Sequence, residues 1–169
     1  MITGMKKEII RVSYKEWQRF QPYLSEGPCV SMAFPQGDCF AILAGDGIET
    51  MAAMVWYTYV FRNSPYRLRA MMGLKFLDRS EQITFLNENV RLLARVSTLP
   101  EYRRLGYAKR LVAGSVGLLG VEYIECLTAW EDVRRLLRSC GFTCYRFENA
   151  TCGKKRDKID YWLWRRIGA

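Results

Sequence analysis

The run Ala94-Arg-Val-Ser-Thr-Leu-Pro-Glu-Tyr-Arg-Arg-Leu-Gly-Tyr-Ala-Lys-Arg-Leu-Val112 passes from strand to turn to helix without a spare residue. A strand-like stretch stops at Pro100, a short basic turn containing Gly106 follows, and an amphipathic helix begins at once. That order places a helix N-terminus beside Arg103 and Arg104. The first amides of a helix lack partners within it, and the helix dipole is positive at that end, so the turn suits a phosphate or pyrophosphate.

Working outward, the chain upstream reads as a strand over Glu8 to Val12, then Ser13-Tyr-Lys-Glu16, a capping box. The helix it opens carries Trp17, Phe20 and Leu24 on one face and ends near Gly27-Pro28. Cys39 to Leu43 and Ile48 to Val60 read as apolar strands around the turn Gly45-Asp-Gly47. Arg62 to Thr84 has weak periodicity and reads as a loop with a short helix. Asn89 to Thr98 alternates as a strand, with Arg91 and Arg95 on one face and Val90, Leu92, Ala94, Val96 and Thr98 on the other.

Downstream, the helix after Gly106 runs to about Leu119, with Leu111, Val112, Ser115, Val116 and Leu119 at core spacing and Gly120 as its stop. Val121 to Ala129 is a strand, Glu131 to Cys140 a helix closed by Gly141, and Phe142 to Phe147 and Ile159 to Trp164 are two last strands. Between those two, Asn149 to Lys158 reads as a basic loop. The order β-α-β-β-β-α-β-α-β-β predicts an α/β (α+β) fold: a mixed, mostly antiparallel sheet of about seven strands with helices on both faces. At 169 residues, half of them apolar, the natural reading is a single domain over residues 1–169.

Charge and cysteine usage narrow the function. The net charge is +9, and residues 133–169 hold ten Lys/Arg against Glu148, Asp157 and Asp160. A basic chain suits an anionic cofactor, an acidic substrate or nucleic acid. Lys154-Lys-Arg-Asp-Lys158 followed by Tyr161, Trp162 and Trp164 mixes cations with aromatics as nucleic-acid surfaces do, although strand aromatics are more often core. The six cysteines (Cys29, Cys39, Cys126, Cys140, Cys144, Cys152) form no dense framework, so reduced, buried thiols and a cytoplasmic location are expected. The chain has no histidine and no CxxC pair, which excludes His-based nucleophilic catalysis and speaks against a metal site. The longest apolar run, Met51 to Phe61, is too short to span a bilayer.

Arg103-Arg-Leu-Gly106-Tyr-Ala108 resembles the pyrophosphate loop Gln/Arg-x-x-Gly-x-Gly/Ala of the GNAT superfamily, the acyl-CoA-dependent N-acetyltransferases. Pro100 and Tyr102 precede it as in that family, and Cys140-Gly141-Phe142 lies where the family has Leu-Gly-Phe. The resemblance implies that backbone amides from Leu105, Gly106, Tyr107 and Ala108, with Arg103 or Arg104, bind the pyrophosphate of acetyl-CoA or another acyl-CoA. It also implies that the main chain of Val96 and Thr98 pairs with the pantetheine arm, and that an amine attacks the thioester directly. The family's second helix often presents an Asn and a Tyr; Trp130 and Leu137 stand there instead. Tyr145 or Tyr161 is then the candidate for the acid that protonates the leaving thiolate.

Without histidine, a carboxylate must act as any general base. Glu125, within Tyr-Ile-Glu-Cys-Leu, is the first candidate and Glu88 the second. The competing reading of Glu125 is a buried ion pair with Arg91 or Arg95. Arg91 and Arg95 either bind an anionic acceptor or cover apolar surface with their stems. The partners expected are an amine-bearing acceptor, small molecule or protein, with nucleic acid and a second copy of the chain as further candidates and no membrane. Two alternatives stand beside acyl transfer. One is DNA-base modification, because Leu86 to Val96 with Glu125 faintly resembles the Mom-type GNAT-like proteins of phages and archaea. The other is a CoA-binding module without turnover.

Overall fold

The computed structural model describes residues 8–24, 36–44, 51–146, 151–152 and 157–167. Its elements are β1 (Ile9–Arg11), α1 (Tyr14–Leu24), β2 (Gly37–Leu43), β3 (Met51–Thr58), α2 (Pro65–Ala70), α3 (Arg79–Asn89) and β4 (Val90–Thr98). There follow α4 (Tyr107–Leu118), β5 (Tyr123–Thr128), α5 (Glu131–Ser139), β6 (Thr143–Tyr145), β7 (Thr151–Cys152), β8 (Asp157–Lys158) and β9 (Asp160–Arg165). Seven strands form one sheet in the order β1-β2-β3-β4-β5-β9-β6. The pairs β1–β2, β2–β3, β5–β9 and β6–β9 are antiparallel, and β4–β5 is parallel. The mixed, mostly antiparallel sheet read from the sequence is borne out.

By contacts the chain forms two compact units: residues 1–58 with 94–119, and residues 59–93 with 120–169. In unit 1 the Ser13 amide donates to Glu16 at 2.6 Å and the Glu16 amide to the Ser13 hydroxyl at 3.3 Å, so the capping box is real. It sets α1 so that Trp17 and Phe20 are buried, Trp17 edge-on to Trp56 at 4.6 Å between ring centroids. Val12, Cys39, Met51 and Met54 complete this core. β3 is buried along nearly its whole length, which is why it reads as a continuous apolar run rather than an alternating one. α4 lies on the same strands through Leu111, Val112, Ser115 and Val116, all buried, and the Ser115 hydroxyl bonds that of Tyr57 at 2.7 Å.

Unit 2 departs from the sequence reading. Arg62 to Thr84 holds α2, a 3-10 turn (Met72–Phe76) and the start of α3. The helical signals there are local caps. The Ser64 hydroxyl accepts from the Arg67 amide with Pro65 in the first turn, and Asp78 and Glu81 form a second capping box. No broad apolar stripe accompanies them, because the turns bury single residues: Met71, Leu74 and Leu86 pack with Val90, Tyr161 and Leu163. β4 also breaks the expected alternation. Val90 and Leu93 are buried and Ala94 is exposed, as happens where both faces of a strand are covered over part of its length.

Gly120 and Gly141 take left-handed φ of 71° and 83°, closing α4 and α5 as read. Within the expected basic loop, β7 and β8 pair as a short ribbon; the rest of that loop, the expected Gly45-Asp46-Gly47 turn and the helix end expected near Gly27-Pro28 lie outside the described residues. Among the described residues no helix is long and apolar enough to cross a membrane.

Candidate functional site

In unit 1, β4 delivers the chain to the loop read as a phosphate cradle. The Leu99 amide donates to the Ala52 carbonyl at 3.1 Å, fixing the end of the strand. Pro100–Tyr102 then makes one 3-10 turn, and the Arg103 amide closes it on the Pro100 carbonyl at 3.3 Å. Arg104 takes a left-handed φ of 62°, the only non-glycine residue to do so among the described residues, and Gly106 follows at 81° as N-cap of α4. Two left-handed residues so close turn the backbone sharply onto the helix axis, where the first amides of α4 have no partner within the helix.

Around this turn Arg103 and Arg104 are exposed, and the Arg103 Nε donates to the Thr98 carbonyl at 3.3 Å. Leu105 is exposed, Ala108 half-buried, and Tyr107 buried edge-on to Tyr102 at 5.6 Å. Val96 and Thr98 are half-buried on β4. A β-carbon built on Gly106 would meet no atom within 4 Å, so open space stands over the glycine. Donors, cations and room for an anion therefore coincide at this turn.

In unit 2 the structure brings together three groups that the sequence did not join. Glu125 is buried, and its Oε1 accepts from Arg67 Nη2 at 2.7 Å. Its Oε2 accepts from Arg67 Nε and from the Tyr161 hydroxyl, each at 2.8 Å. Arg67 is equally buried and spends Nη1 on the Phe61 carbonyl at 2.8 Å. The ion pair anticipated for Glu125 exists, but its partner is Arg67 on α2 rather than Arg91 or Arg95. Burial and the Glu125 carboxylate push the Tyr161 hydroxyl well above the ordinary tyrosine range, so it stays a donor.

The remaining candidates are dispersed. Arg91 donates to the Asn87 and Val90 carbonyls and lies over the Tyr59 ring at 4.5 Å. Arg95 lies over the Trp56 ring at 5.2 Å. Each sets its guanidinium over an aromatic ring, where the expectation of an apolar surface covered by the stem alone had the head in solvent. Tyr145 sits across from Tyr161 on β6, edge-on at 6.3 Å between ring centroids. Glu88 is exposed on α3. Trp130 caps α5 and is exposed, whereas Leu137 is fully buried, so the position of the family's helix tyrosine belongs to the core here. Arg67 is the residue that sequence reasoning missed. Ser64-Pro65 announces a helix start, but nothing local says that the third residue of that helix turns inward.

No protein-family model and no curated protein matches the sequence. Solved structures do match by shape. Arabidopsis thaliana NAA60 in complex with acetyl-CoA superposes with a TM-score of 0.63 at 14% identity, covering 95% of this chain and 99% of that one. A ribosomal-protein alanine N-acetyltransferase of Escherichia coli gives 0.60 at 13% identity, covering 96% of each chain. A spermidine N-acetyltransferase of Vibrio cholerae gives 0.62 at 9%, covering 96% of this chain and 95% of that one. The fold implied by the GNAT resemblance is the fold the chain has.

Proposed function

We propose that this chain is an N-acyltransferase that moves an acetyl or other acyl group from acyl-CoA to an amine, within one acyltransferase domain over residues 1–169. One observation carries the reading. Gly106, left-handed and beneath open space, starts α4 beside Arg103 and Arg104, in a fold shared with N-acetyltransferases that include one holding acetyl-CoA. The reading also agrees with the basic composition, because CoA brings a phosphate-rich polyanion.

In this reading the amides of Leu105, Gly106, Tyr107 and Ala108, with Arg103 and Arg104, hold the pyrophosphate, and the main chain of Val96 and Thr98 runs along the pantetheine arm. CoA supplies the activated thioester carbon. The amine attacks that carbon, the C–N bond forms, the C–S bond breaks and the thiolate leaves. Orientation and a backbone donor to the developing oxyanion supply most of the rate. Tyr145 is the proposed proton source for the leaving thiolate.

Glu125 already accepts three hydrogen bonds within the buried Arg67–Tyr161 cluster, which supports a positioning part over that of general base. Arg91 and Arg95 remain candidates for contact with an anionic acceptor, in competition with the aromatic faces they cover. The acceptor is an amine on a small molecule or a protein, as it is for the spermidine and ribosomal-protein enzymes of similar fold. Among the described residues Cys39, Cys126 and Cys144 are free thiols, which agrees with a reducing, cytoplasmic setting.

Calorimetric titration with acetyl-CoA tests the site. Micromolar binding is expected, and Gly106→Glu should weaken it at least 100-fold by setting bulk and negative charge against the pyrophosphate. Unchanged affinity of Gly106→Glu would remove this site from the loop. Binding without acetylation of any amine would leave a CoA-binding module, and salt-dependent duplex binding in place of CoA binding would turn the reading toward nucleic-acid modification.

A further inference from the structure

We propose that unit 2 carries a second ligand site: an open groove of about 880 Å³ that binds an amphipathic carboxylate, with the hydrocarbon body on its floor and the anionic head on Arg165. The site is independent of the acyl-transfer reading, since every residue in it lies within residues 59–93 and 120–169. Its volume falls in the range of small-molecule sites. One wall is the helical segment, through Met71, Leu74, Leu77 and Phe85; the floor is strand-borne, through Tyr123 and Trp164. Thioether and aromatic side chains adapt to an alkyl chain without demanding a hydrogen bond from it.

The charge around the groove selects the head group. Among the described residues Arg165 is the one charged side chain lining it, exposed and with its guanidinium 5.7 Å from the centre of the Tyr123 ring. The segment from Tyr59 to Leu77, which supplies much of the helical wall, contains Arg62, Arg67, Arg69 and Lys75 and no acid. Arg67 is held by Glu125. Met72 and Ile167 stand exposed at the lip. An apolar trough whose lining holds Arg165 and no acid among the described residues repels a cationic amphiphile and takes an anionic one.

The test is calorimetry of the full chain with sodium dodecanoate below its micelle-forming concentration, with dodecyltrimethylammonium and acetate as comparisons. Saturable binding of one dodecanoate per chain is expected, with the cation at least tenfold weaker and acetate silent. Arg165→Gln should weaken dodecanoate about tenfold through loss of a charge-assisted hydrogen bond, and Arg165→Lys should recover most of that. Met72→Glu, at an exposed position, should weaken it through like charge at the lip. Thr143→Trp, which fills the groove, should abolish it while acetyl-CoA still binds. Equal affinity for the cationic amphiphile, non-saturating uptake, or an unchanged Arg165→Gln would overturn the proposal, as would no dodecanoate binding by the folded chain.

Discussion

At the scale of single residues, the loop and the buried cluster make opposite demands. Arg104 adopts a left-handed backbone that costs a non-glycine residue about 1 kcal/mol, while its side chain is exposed beside the cradle. Arg104→Gly should therefore raise stability by a few tenths to about 1 kcal/mol in denaturant unfolding and weaken acetyl-CoA at the same time. A variant that gained stability and kept full affinity would show that the strain serves nothing at this site. Glu125→Gln asks the other question. It leaves the Arg67 guanidinium buried without its counter-charge, which costs about 3–5 kcal/mol. A large loss of stability, partly recovered in an Arg67→Met, Glu125→Leu double variant, is the expected result. A stable Glu125→Gln protein with slowed turnover and intact CoA affinity would instead restore Glu125 as the base.

At the scale of elements, the strands and helices are held by a few local devices whose removal can be measured. Gly37 opens β2 where a β-carbon would overlap the Tyr57 carbonyl and crowd the Thr58 Cα of β3. Backbone on the facing strand cannot step aside, so Gly37→Ala should cost more than an ordinary surface change, about 2 kcal/mol or above. Asp78 caps α3 through the Glu81 amide at 2.9 Å, and Asp78→Ala should cost about 1 kcal/mol. Both values can be read from urea midpoints at constant m-value. How legible each element was follows from its packing. α4 and the first strands were plain because their apolar spacing is regular. The stretch from Ser64 to Glu81 was not, because two caps and isolated buried residues leave no periodic stripe.

At the scale of the whole molecule, burial ties stability to pH on the alkaline side. Burial pushes the Cys126 thiol up to about 12 and the Tyr161 hydroxyl higher than its ordinary range, while both titrate normally in the unfolded chain. Above about pH 9 the unfolded state therefore loses the Cys126 proton that the folded state keeps. Stability that is complete below that pH declines as pH rises toward 12, by about 1.4 kcal/mol per pH unit for one such group. Urea midpoints at pH 7, 9 and 10.5 should fall in that order, and Cys126→Ala should flatten the decline between pH 9 and 10.5. A midpoint that held level to pH 10.5 would mean that these groups are not buried as protons. The loop proposed to hold the pyrophosphate has a matching whole-chain signature. Acetyl-CoA at 100 times its dissociation constant should stabilise the chain by about 2.7 kcal/mol, and the gain should vanish in Gly106→Glu.

The sequence by itself determined the sheet class, the capping box at Ser13 and the strand-turn-helix passage through Arg103 to Ala108, because each rests on neighbours within a few residues. Turn, cap and apolar period are local, and local chemistry is what a linear reading can see. The tertiary structure alone decided which charge meets Glu125. Arg67 lies 58 positions away on a helix with no periodic signal, and nothing in the chain ranks it above Arg91 or Arg95 as the partner. It likewise decided that Leu137 is core and that Met71, Phe85, Tyr123 and Arg165 share one groove. Partners across the sheet are chosen by how packed elements exclude water, and that choice exists only once the chain has folded.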